Sequence, residues 1–276
     1  MKVALIGYGK MGRLLEKRLL EKEHEVLLVV DPKVQHFVKD KGLSVKGGAK
    51  HLDSGAAAYA SLENALEGVD GEGLGDVDIV IEYTHPDSAA ANLLFLTREK
   101  IPVVTGTTGW YDKLPEIEKN VNAAGTSLLW SSNFSLGVNL FYRIAAHAAK
   151  LIDPFAEYDA AGYEIHHNKK ADSPSGTARV LAEQVLAQMT RKKKVLYDLL
   201  ERPPAADELH FASLRVGSVP GTHSLIFDSA ADSIEIKHTA RSRDGFAAGT
   251  VLAAEWLIDK KRSGVFTIDD VLMELL

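Results

Sequence analysis

Two hydrophobic periods alternate along the first 130 or so residues. Val3-Ala4-Leu5-Ile6 is a continuous apolar run of strand length, and Met11, Leu14, Leu15, Leu19 and Leu20 come after it at helical spacing. Val26-Leu27-Leu28-Val29-Val30 is a second apolar run, ending at Asp31. Residues 42–75 are glycine- and alanine-rich and poorly patterned, apart from a short helix near Ser61–Leu66. The alternation then resumes. A buried strand is expected over Ile79–Thr84, a helix from Pro86 to about Arg98, and a strand over Pro102–Thr105. A helix near Asp112–Ala123 and the strand Ser127–Trp130 complete the series. Apolar strands separated by amphipathic helices predict an α/β fold with an open parallel sheet.

After Ser131 the pattern changes. Phe134–Ile152 has helical spacing through Leu136, Leu140, Ile144 and Ala148, and Tyr158–Ile165 reads as a strand. A further helix runs through Ala178, Leu181, Ala182, Val185, Leu186 and Met189. The run Arg191-Lys192-Lys193-Lys194 reads as its solvated end, where cations complement the helix dipole. Phe211–Arg215 and Thr222–Phe227 flank a turn-rich connection, Val216–Gly221. Ser233–Thr239 alternates strictly, as a half-exposed strand does. These strands predict a mixed or antiparallel sheet with helices against it. Phe246–Asp259 is the final long helix, expected to pack back on the first domain. The expected organisation is a dinucleotide-binding domain over 1–132 plus about 245–276, with an α+β domain over 133–244.

The dinucleotide assignment rests on the turn after the first strand. Gly7-Tyr8-Gly9-Lys10-Met11-Gly12 is a Gly-x-Gly-x-x-Gly turn opening a helix, and Asp31 lies 19 residues past Gly12 at the end of the second strand. Gly7 suits the tight turn, Gly9 the approach of a pyrophosphate, Gly12 the packing of helix on strand, and Asp31 a ribose. Alone the glycine pattern is weak; with strand, helix, second strand and acid in place it is specific. Ligands of such sheets sit beyond the strands' carboxyl ends. There stand Thr84-His85, Gly106-Thr107-Thr108 and Ser131-Ser132-Asn133-Phe134. His85, before Pro86, reads equally as a site residue or as the residue that starts a helix.

The second chemical feature is His166-His167-Asn168-Lys169-Lys170-Ala171-Asp172-Ser173-Pro174-Ser175-Gly176-Thr177. Each residue taken singly suits a solvated loop, and Ser-Gly-Thr is an ordinary helix start. Two imidazoles and two ammonium groups within five residues repel one another, however, unless something negative meets them. The first turn of the helix after this segment offers unpaired N–H groups to an anion. Proton donors, positive charge and an anion cradle together suggest acid–base chemistry on a small carboxylate.

Composition narrows the field. The chain has 276 residues, 46% of them hydrophobic and 25% charged, enough for one large or two smaller domains. A formal net charge of -6 argues against general nucleic-acid binding. Cysteine is absent, which excludes disulfides, thiol catalysis and cysteine-ligated metal; no metal site is expected. The apolar run after Met1-Lys2 is too short for a signal segment, and no stretch approaches membrane-spanning length, so a soluble, cytoplasmic protein without membrane partners is expected.

Several motifs occur together in one order: Gly9-Lys10-Met11-Gly12, Gly106-Thr107-Thr108-Gly109, Asn133-Phe134-Ser135-Leu136-Gly137-Val138-Asn139, the His166–Thr177 segment, Arg215-Val216-Gly217 with Pro220-Gly221-Thr222-His223, and Ser242-Arg243. In these, over nearly its whole length, the chain resembles the 4-hydroxy-tetrahydrodipicolinate reductase (dihydrodipicolinate reductase) family of lysine biosynthesis. The resemblance implies hydride transfer from NADH or NADPH to C4 of a cyclic, unsaturated imine dicarboxylate, giving tetrahydrodipicolinate. It implies His166 as the acid–base residue and Lys170 as proton donor. His167, Ser175, the Gly176-Thr177 amides and Arg243 would hold the substrate. Gly7, Tyr8, Gly9, Lys10, Met11, Gly12, Asp31, Thr84, Gly106, Thr107, Thr108, Ser131, Ser132, Asn133 and Phe134 would hold the cofactor. A homotetramer built through the second domain is implied too, with Ser233–Thr239 as a contact.

The chain departs from the family at four places. Its glycine turn is one residue shorter than the common form, and Asn168-Lys169 replace residues often Arg or His. Tyr83-Thr84-His85-Pro86 and Gly245-Phe246 also differ from the usual pattern. Asp31 should repel a 2′-phosphate and favour NADH, although Lys33 is placed to accept NADPH. The competing readings are another dinucleotide-dependent oxidoreductase of a small carboxylate, and a non-catalytic dinucleotide sensor. The His-His/Lys/Ser-Gly-Thr string sets the chain apart from the first, and the intact His166, Lys170 and Gly176-Thr177 from the second.

Overall fold

The computed structural model describes residues 1–33, 50–68, 73–197 and 199–276. The chain divides into two compact units, Met1–Ser135 with Phe246–Leu276, and Leu136–Gly245.

The first unit begins β1 (Lys2–Ile6), α1 (Lys10–Glu21), β2 (Glu25–Val30), β3 (Lys50–His51), β4 (Ala57–Tyr59), α2 (Leu62–Glu67), β5 (Ile79–Glu82) and α3 (Pro86–Arg98). It continues β6 (Val103–Thr105), α4 (Leu114–Ala124) and β7 (Ser127–Trp130). The second unit holds α5 (Leu136–Ile152), β8 (Asp159–His166), α6 (Gly176–Gln188), β9 (Lys194–Leu196), β10 (Glu208–Arg215), β11 (Thr222–Asp228) and β12 (Ser233–Thr239). The chain then returns as α7 (Asp244–Asp259), β13 (Gly264–Thr267) and α8 (Ile268–Leu275). The helix expected over Phe246–Asp259 thus leads into one more strand and helix, which the sequence pattern did not announce. Part of the poorly patterned stretch, residues 42–49 and 69–72, lies outside the described residues; the rest supplies β3, β4 and α2.

The first sheet has the order β13-β7-β6-β5-β1-β2-β4-β3. All its strands run parallel except β3, which pairs antiparallel with β4. The apolar runs of the sequence become strands buried on both sides, with Val3, Ala4, Leu28, Val29, Ile79 and Val80 wholly inaccessible. β1 lies between β2 and β5, so the strand order reverses there, and the glycine turn after β1 meets the end of β5 at this reversal.

The second sheet is mixed, in the order β12-β11-β8-β10-β9. β8 runs parallel to β10 and antiparallel to β11. The Val216–Gly221 turn therefore carries the chain across the end of β8 rather than closing a hairpin between neighbours. Burial alternates along β8, placing Ala160, Gly162, Glu164 and His166 on one buried face. Against it pack Phe141, Ala145 and Ala149 of α5 and Leu181 and Val185 of α6, with Phe211, Leu225 and Phe227 from neighbouring strands. Gly162 leaves room for the Phe211 ring, which a Cβ would strike.

The basic run Arg191–Lys194 differs from its expected role. It is not a solvated helix end, because α6 stops at Gln188. Lys192 is only 3% exposed; its ammonium pairs with Asp159 and donates to the Glu208 carbonyl at 2.8 Å. Arg191 donates to the carbonyls of Asp153 and Tyr158, each at 3.0 Å. A buried ammonium is tolerable only when its donors are matched in this way, so the basic run fastens the segment before β8 to β10.

Candidate active site

In the first unit the expected cofactor residues gather at the carboxyl ends of β1, β2, β5, β6 and β7. Gly7 has φ of +89°, and a Cβ on it would strike the Tyr83 carbonyl. Gly12 sits against the Gly7 carbonyl with no room for a side chain, whereas a Cβ on Gly9 would meet nothing within 4 Å. The turn is thus closed toward the protein at Gly7 and Gly12 and open at Gly9. Gly9 also stands at the N-cap of α1 without a side-chain cap, so the first-turn N–H groups of that helix suit an anion. The Asp31 carboxylate accepts from the Tyr8 N–H at 2.8 Å and from the Lys33 N–H at 2.7 Å. Lys10 is exposed and Met11 half-buried beside them.

A buried carboxylate organises the neighbouring loops. Glu82, wholly inaccessible at the end of β5, accepts from the Thr84 hydroxyl and from the Thr105 hydroxyl at 2.5 Å. The Thr84 N–H in turn donates to the Thr107 hydroxyl at 2.8 Å. The Tyr83 hydroxyl meets Thr250 Oγ1 of α7 at 2.7 Å, and its ring fills the space a Gly106 side chain would need. Thr108 and Ser132 are exposed, Asn133 is half-buried, and Ser131 and Phe134 are buried. His85 caps α3, its Nδ1 accepting from the Asp87 N–H; its helix-starting role is the one the geometry shows.

In the second unit β8 ends at His166. Its Nδ1 hydrogen-bonds Glu164 Oε2, and the other Glu164 oxygen accepts from Arg215 at 2.8 Å and from the Ser175 N–H at 3.2 Å. Burial alone would raise the Glu164 carboxyl, but hydrogen bonds led by His166, with Arg215 beside it, outweigh that and hold it below the ordinary carboxylate range. Arg215 also donates to the Asp172 carbonyl at 2.6 Å, tying the loop to β10. His223, on β11, crosses His166 edge-on with centroids 5.2 Å apart, and meets Ser175 Oγ at 3.2 Å. Burial, and then the neighbouring His166, push the His223 imidazole down to about 3, so it stays neutral.

Ser175 also caps α6, its Oγ accepting from the Ala178 N–H at 3.2 Å. Gly176 is exposed just beyond, with nothing within 4 Å of the place its Cβ would take, and Thr177 is half-buried. Lys170 forms an ion pair with Asp172 at 2.7 Å. His167 is half-buried, and the exposed Asn168 is held by its N–H to the Gly217 carbonyl at 3.2 Å. His166, Lys170, Ser175, Gly176 and Thr177 thus come together around the end of β8 and the start of α6. Arg243 lies exposed between β12 and α7 and takes no part in the hydrogen bonds and ion pairs that hold this group together among the described residues.

Three further residues belong to the cluster. Arg215 and His223 stand in family motifs but carried no expected role, and Glu164 bore no mark beyond its alternation with His166. Glu164, His166 and His223 are also the one group of potential metal-donor atoms within 4.8 Å of one another among the described residues. Glu164 is already committed to a guanidinium, an imidazole and an amide there. The arrangement is a hydrogen-bonded acid–base cluster beside an open helix start.

Comparison with known proteins decides the family. Residues 1–134 match the dihydrodipicolinate reductase N-terminus and residues 137–272 its C-terminus. The chain belongs to the dihydrodipicolinate reductase family. It is 34% identical over 276 residues to a 4-hydroxy-tetrahydrodipicolinate reductase of Christiangramia forsetii, covering 100% of this chain and 99% of that one. It is 33% identical to the enzyme so named in Archaeoglobus fulgidus, over 99% of this chain and 100% of the relative. A dipicolinate-bound dihydrodipicolinate reductase from Paenisporosarcina sp. TG-14 shares the fold, with a TM-score of 0.73 at 19% identity and 97% coverage of both chains. Dihydrodipicolinate reductase membership thus covers both units, and the family assignment does not depend on either motif alone. No helix among the described residues is long and apolar enough to cross a membrane.

Proposed function

We propose that this protein reduces 4-hydroxy-tetrahydrodipicolinate, by way of dihydrodipicolinate, to tetrahydrodipicolinate in lysine biosynthesis. The observation that carries the reading is the His166 cluster. A paired imidazole, an ammonium and an open helix start converge where a small dicarboxylate needs an acid and a cradle. The dipicolinate bound by the Paenisporosarcina protein is a dicarboxylate of this shape.

The first unit takes a pyridine nucleotide, as the N-terminal domain of the family does. In the proposed mode Gly7, Tyr8, Gly9, Lys10, Met11 and Gly12 receive the pyrophosphate and Asp31 the ribose. Thr84, Gly106, Thr107, Thr108 and Ser131–Phe134 line the rest of the nucleotide. The open face at Gly9, the uncapped start of α1 and the pre-oriented Asp31 fit that group. NADH is preferred over NADPH, because the Asp31 carboxylate repels a 2′-phosphate. When bound, the reduced nicotinamide supplies a hydride.

In the second unit, hydride arriving at C4 of the conjugated imine drives charge toward C3 and the ring nitrogen. His166, as acid–base residue, and Lys170, as donor, supply the balancing proton. The Gly176-Thr177 amides, with His167 and Ser175, hold carboxylate oxygens, and Gly176 lets the backbone approach closely. Arg243, exposed on the segment between β12 and α7, is assigned to the second carboxylate.

Assembly as a cytoplasmic homotetramer is part of the same reading. Among the described residues β12 is an edge strand, with Ile234 44% exposed, and a sheet edge invites pairing. Activity is tested by coupling the protein to dihydrodipicolinate synthase with pyruvate and aspartate semialdehyde and measuring NADH absorbance over time. Oxidation that depends on the synthase supports the reading; none would leave the dinucleotide-sensor alternative standing.

A further inference from the structure

We infer that Glu164 is the positioning residue for His166: its buried carboxylate holds the ring through Nδ1 and leaves Nε2 as the atom that exchanges a proton with substrate. The inference rests on the acid–base role proposed for His166 and adds what sets that ring's tautomer and charge.

The placement is a product of the strand. Alternation along β8 puts residues 164 and 166 on one buried face, and the register sets His223 of β11 beside Glu164 and Arg215 of β10 beside His166. Glu164 is wholly inaccessible. A carboxylate there is costly unless its oxygens are matched, and each is. One oxygen meets His166; the other takes Arg215 at 2.8 Å and the Ser175 N–H at 3.2 Å. Arg215 is itself anchored to the Asp172 carbonyl. The carboxylate therefore has little freedom to leave the imidazole.

The other side of the ring is kept clear. Gly221 has φ of +157°, and a Cβ there would lie 3.0 Å from His166 Nε2. A side chain at 221 would crowd the nitrogen that Glu164 does not hold. With Nδ1 committed to an acceptor, a neutral His166 carries its proton on Nδ1 and accepts at Nε2, and a protonated one donates from Nε2.

The charge balance points the same way. The groups facing this ring are Glu164 on β8, Arg215 on β10, the neutral His223 on β11 with His238 of β12 beside it, the Lys170–Asp172 pair in the loop, and the Ser175 amide at the start of α6. Removing the Glu164 charge leaves His166 beside a guanidinium and an ammonium, with the exposed Asp172 as the remaining acid. The imidazolium then loses its nearest stabilising charge.

The test uses full-length protein with nitrogen-15-labelled histidine, the His166 signals being assigned by their loss in His166→Gln. In wild type the neutral His166 should be protonated at Nδ1. In Glu164→Gln turnover should fall roughly 10- to 100-fold, part of what acid–base catalysis contributes. Glu164→Asp should restore part of that turnover. Nucleotide affinity and melting temperature, read in parallel, separate this loss from unfolding. Unchanged turnover in Glu164→Gln, or an Nε2-protonated resting tautomer in wild type, would overturn the inference. The tautomer measurement stands even if Glu164→Gln does not fold. Full turnover in His166→Gln would instead overturn the acid–base role of His166, so the two failures are distinct.

Discussion

The Tyr8 N–H donates to the Asp31 carboxylate at 2.8 Å, so the acid after β2 is fastened to the turn after β1. That bond ties Asp31 to the glycine turn, and in the proposed mode the same carboxylate offers a lone pair to a ribose. Asp31→Ala should therefore raise KM for NADH roughly 10- to 100-fold, as expected for a lost hydrogen bond to a charged acceptor. KM for NADPH should change less, because a repulsion is removed together with the bond. Steady-state kinetics with each nucleotide check this, and a clear wild-type preference for NADPH would reject the cofactor assignment.

His166→Gln and Lys170→Ala should each lower kcat by about 10²-fold or more, within the range for losing an acid–base group. Nucleotide binding, read by NADH fluorescence, should survive, since both residues belong to the second unit. Turnover within a factor of about two of wild type in either variant would remove that residue from the mechanism.

Gly9→Ala and Gly12→Ala should fail in different ways. A Cβ at 12 collides with the Gly7 carbonyl and is expected to cost about 1–3 kcal/mol of stability, seen in urea unfolding. A Cβ at 9 meets no protein atom within 4 Å, so stability should hold. It enters the space assigned to pyrophosphate, and NADH affinity should drop on the order of tenfold, or about 1.4 kcal/mol. Equal loss of stability in both variants would refute the distinction.

His223 links folding to pH. Its folded imidazole titrates at about 3 against 6.5 for an ordinary histidine. Between these values the unfolded chain binds a proton that the folded chain refuses. Stability from this residue is therefore complete above about pH 6.5 and declines as pH falls, by up to about 1.4 kcal/mol per unit. Urea unfolding at pH 7 and pH 5 measures the decline, and His223→Gln should flatten it. The window between pH 5 and 6.5 isolates histidine from the carboxylates, and an equal slope in the variant would assign the effect elsewhere.

Local signals carried much of this architecture. The apolar runs at 3–6, 26–30 and 79–81 are uninterrupted, and the glycine turn lies in one stretch of chain, so both were readable. Gly264–Thr267 was not: it is short, half-buried throughout, and becomes a strand only because β7 offers it an edge. The His166–Thr177 segment was legible because its residues are sequential. Glu164, Arg215 and His223 reach it from three strands, and their meeting depends on a register that no single stretch encodes. Turn chemistry at Val216–Gly221 gave the bend but not the strand it bridges, since β8, from much earlier in the chain, takes the place between β10 and β11. Lys192 deceived for a similar reason: its partners, Asp159 and the Glu208 carbonyl, are remote in sequence.

The Tyr83–Thr250 hydrogen bond has a consequence for biosynthesis. Thr250 lies on α7, and β13 covers the outer edge of β7, so a segment translated after the second unit completes the sheet begun before it. A nascent chain that has emerged only through Ser135 carries an unpaired β7 edge and an unmet Tyr83 hydroxyl. All of the second unit must then be translated before those gaps close. The inserted unit can therefore form before the unit that surrounds it in sequence is complete, and a chain cut short before Phe246 leaves the β7 edge without β13 and Tyr83 without Thr250.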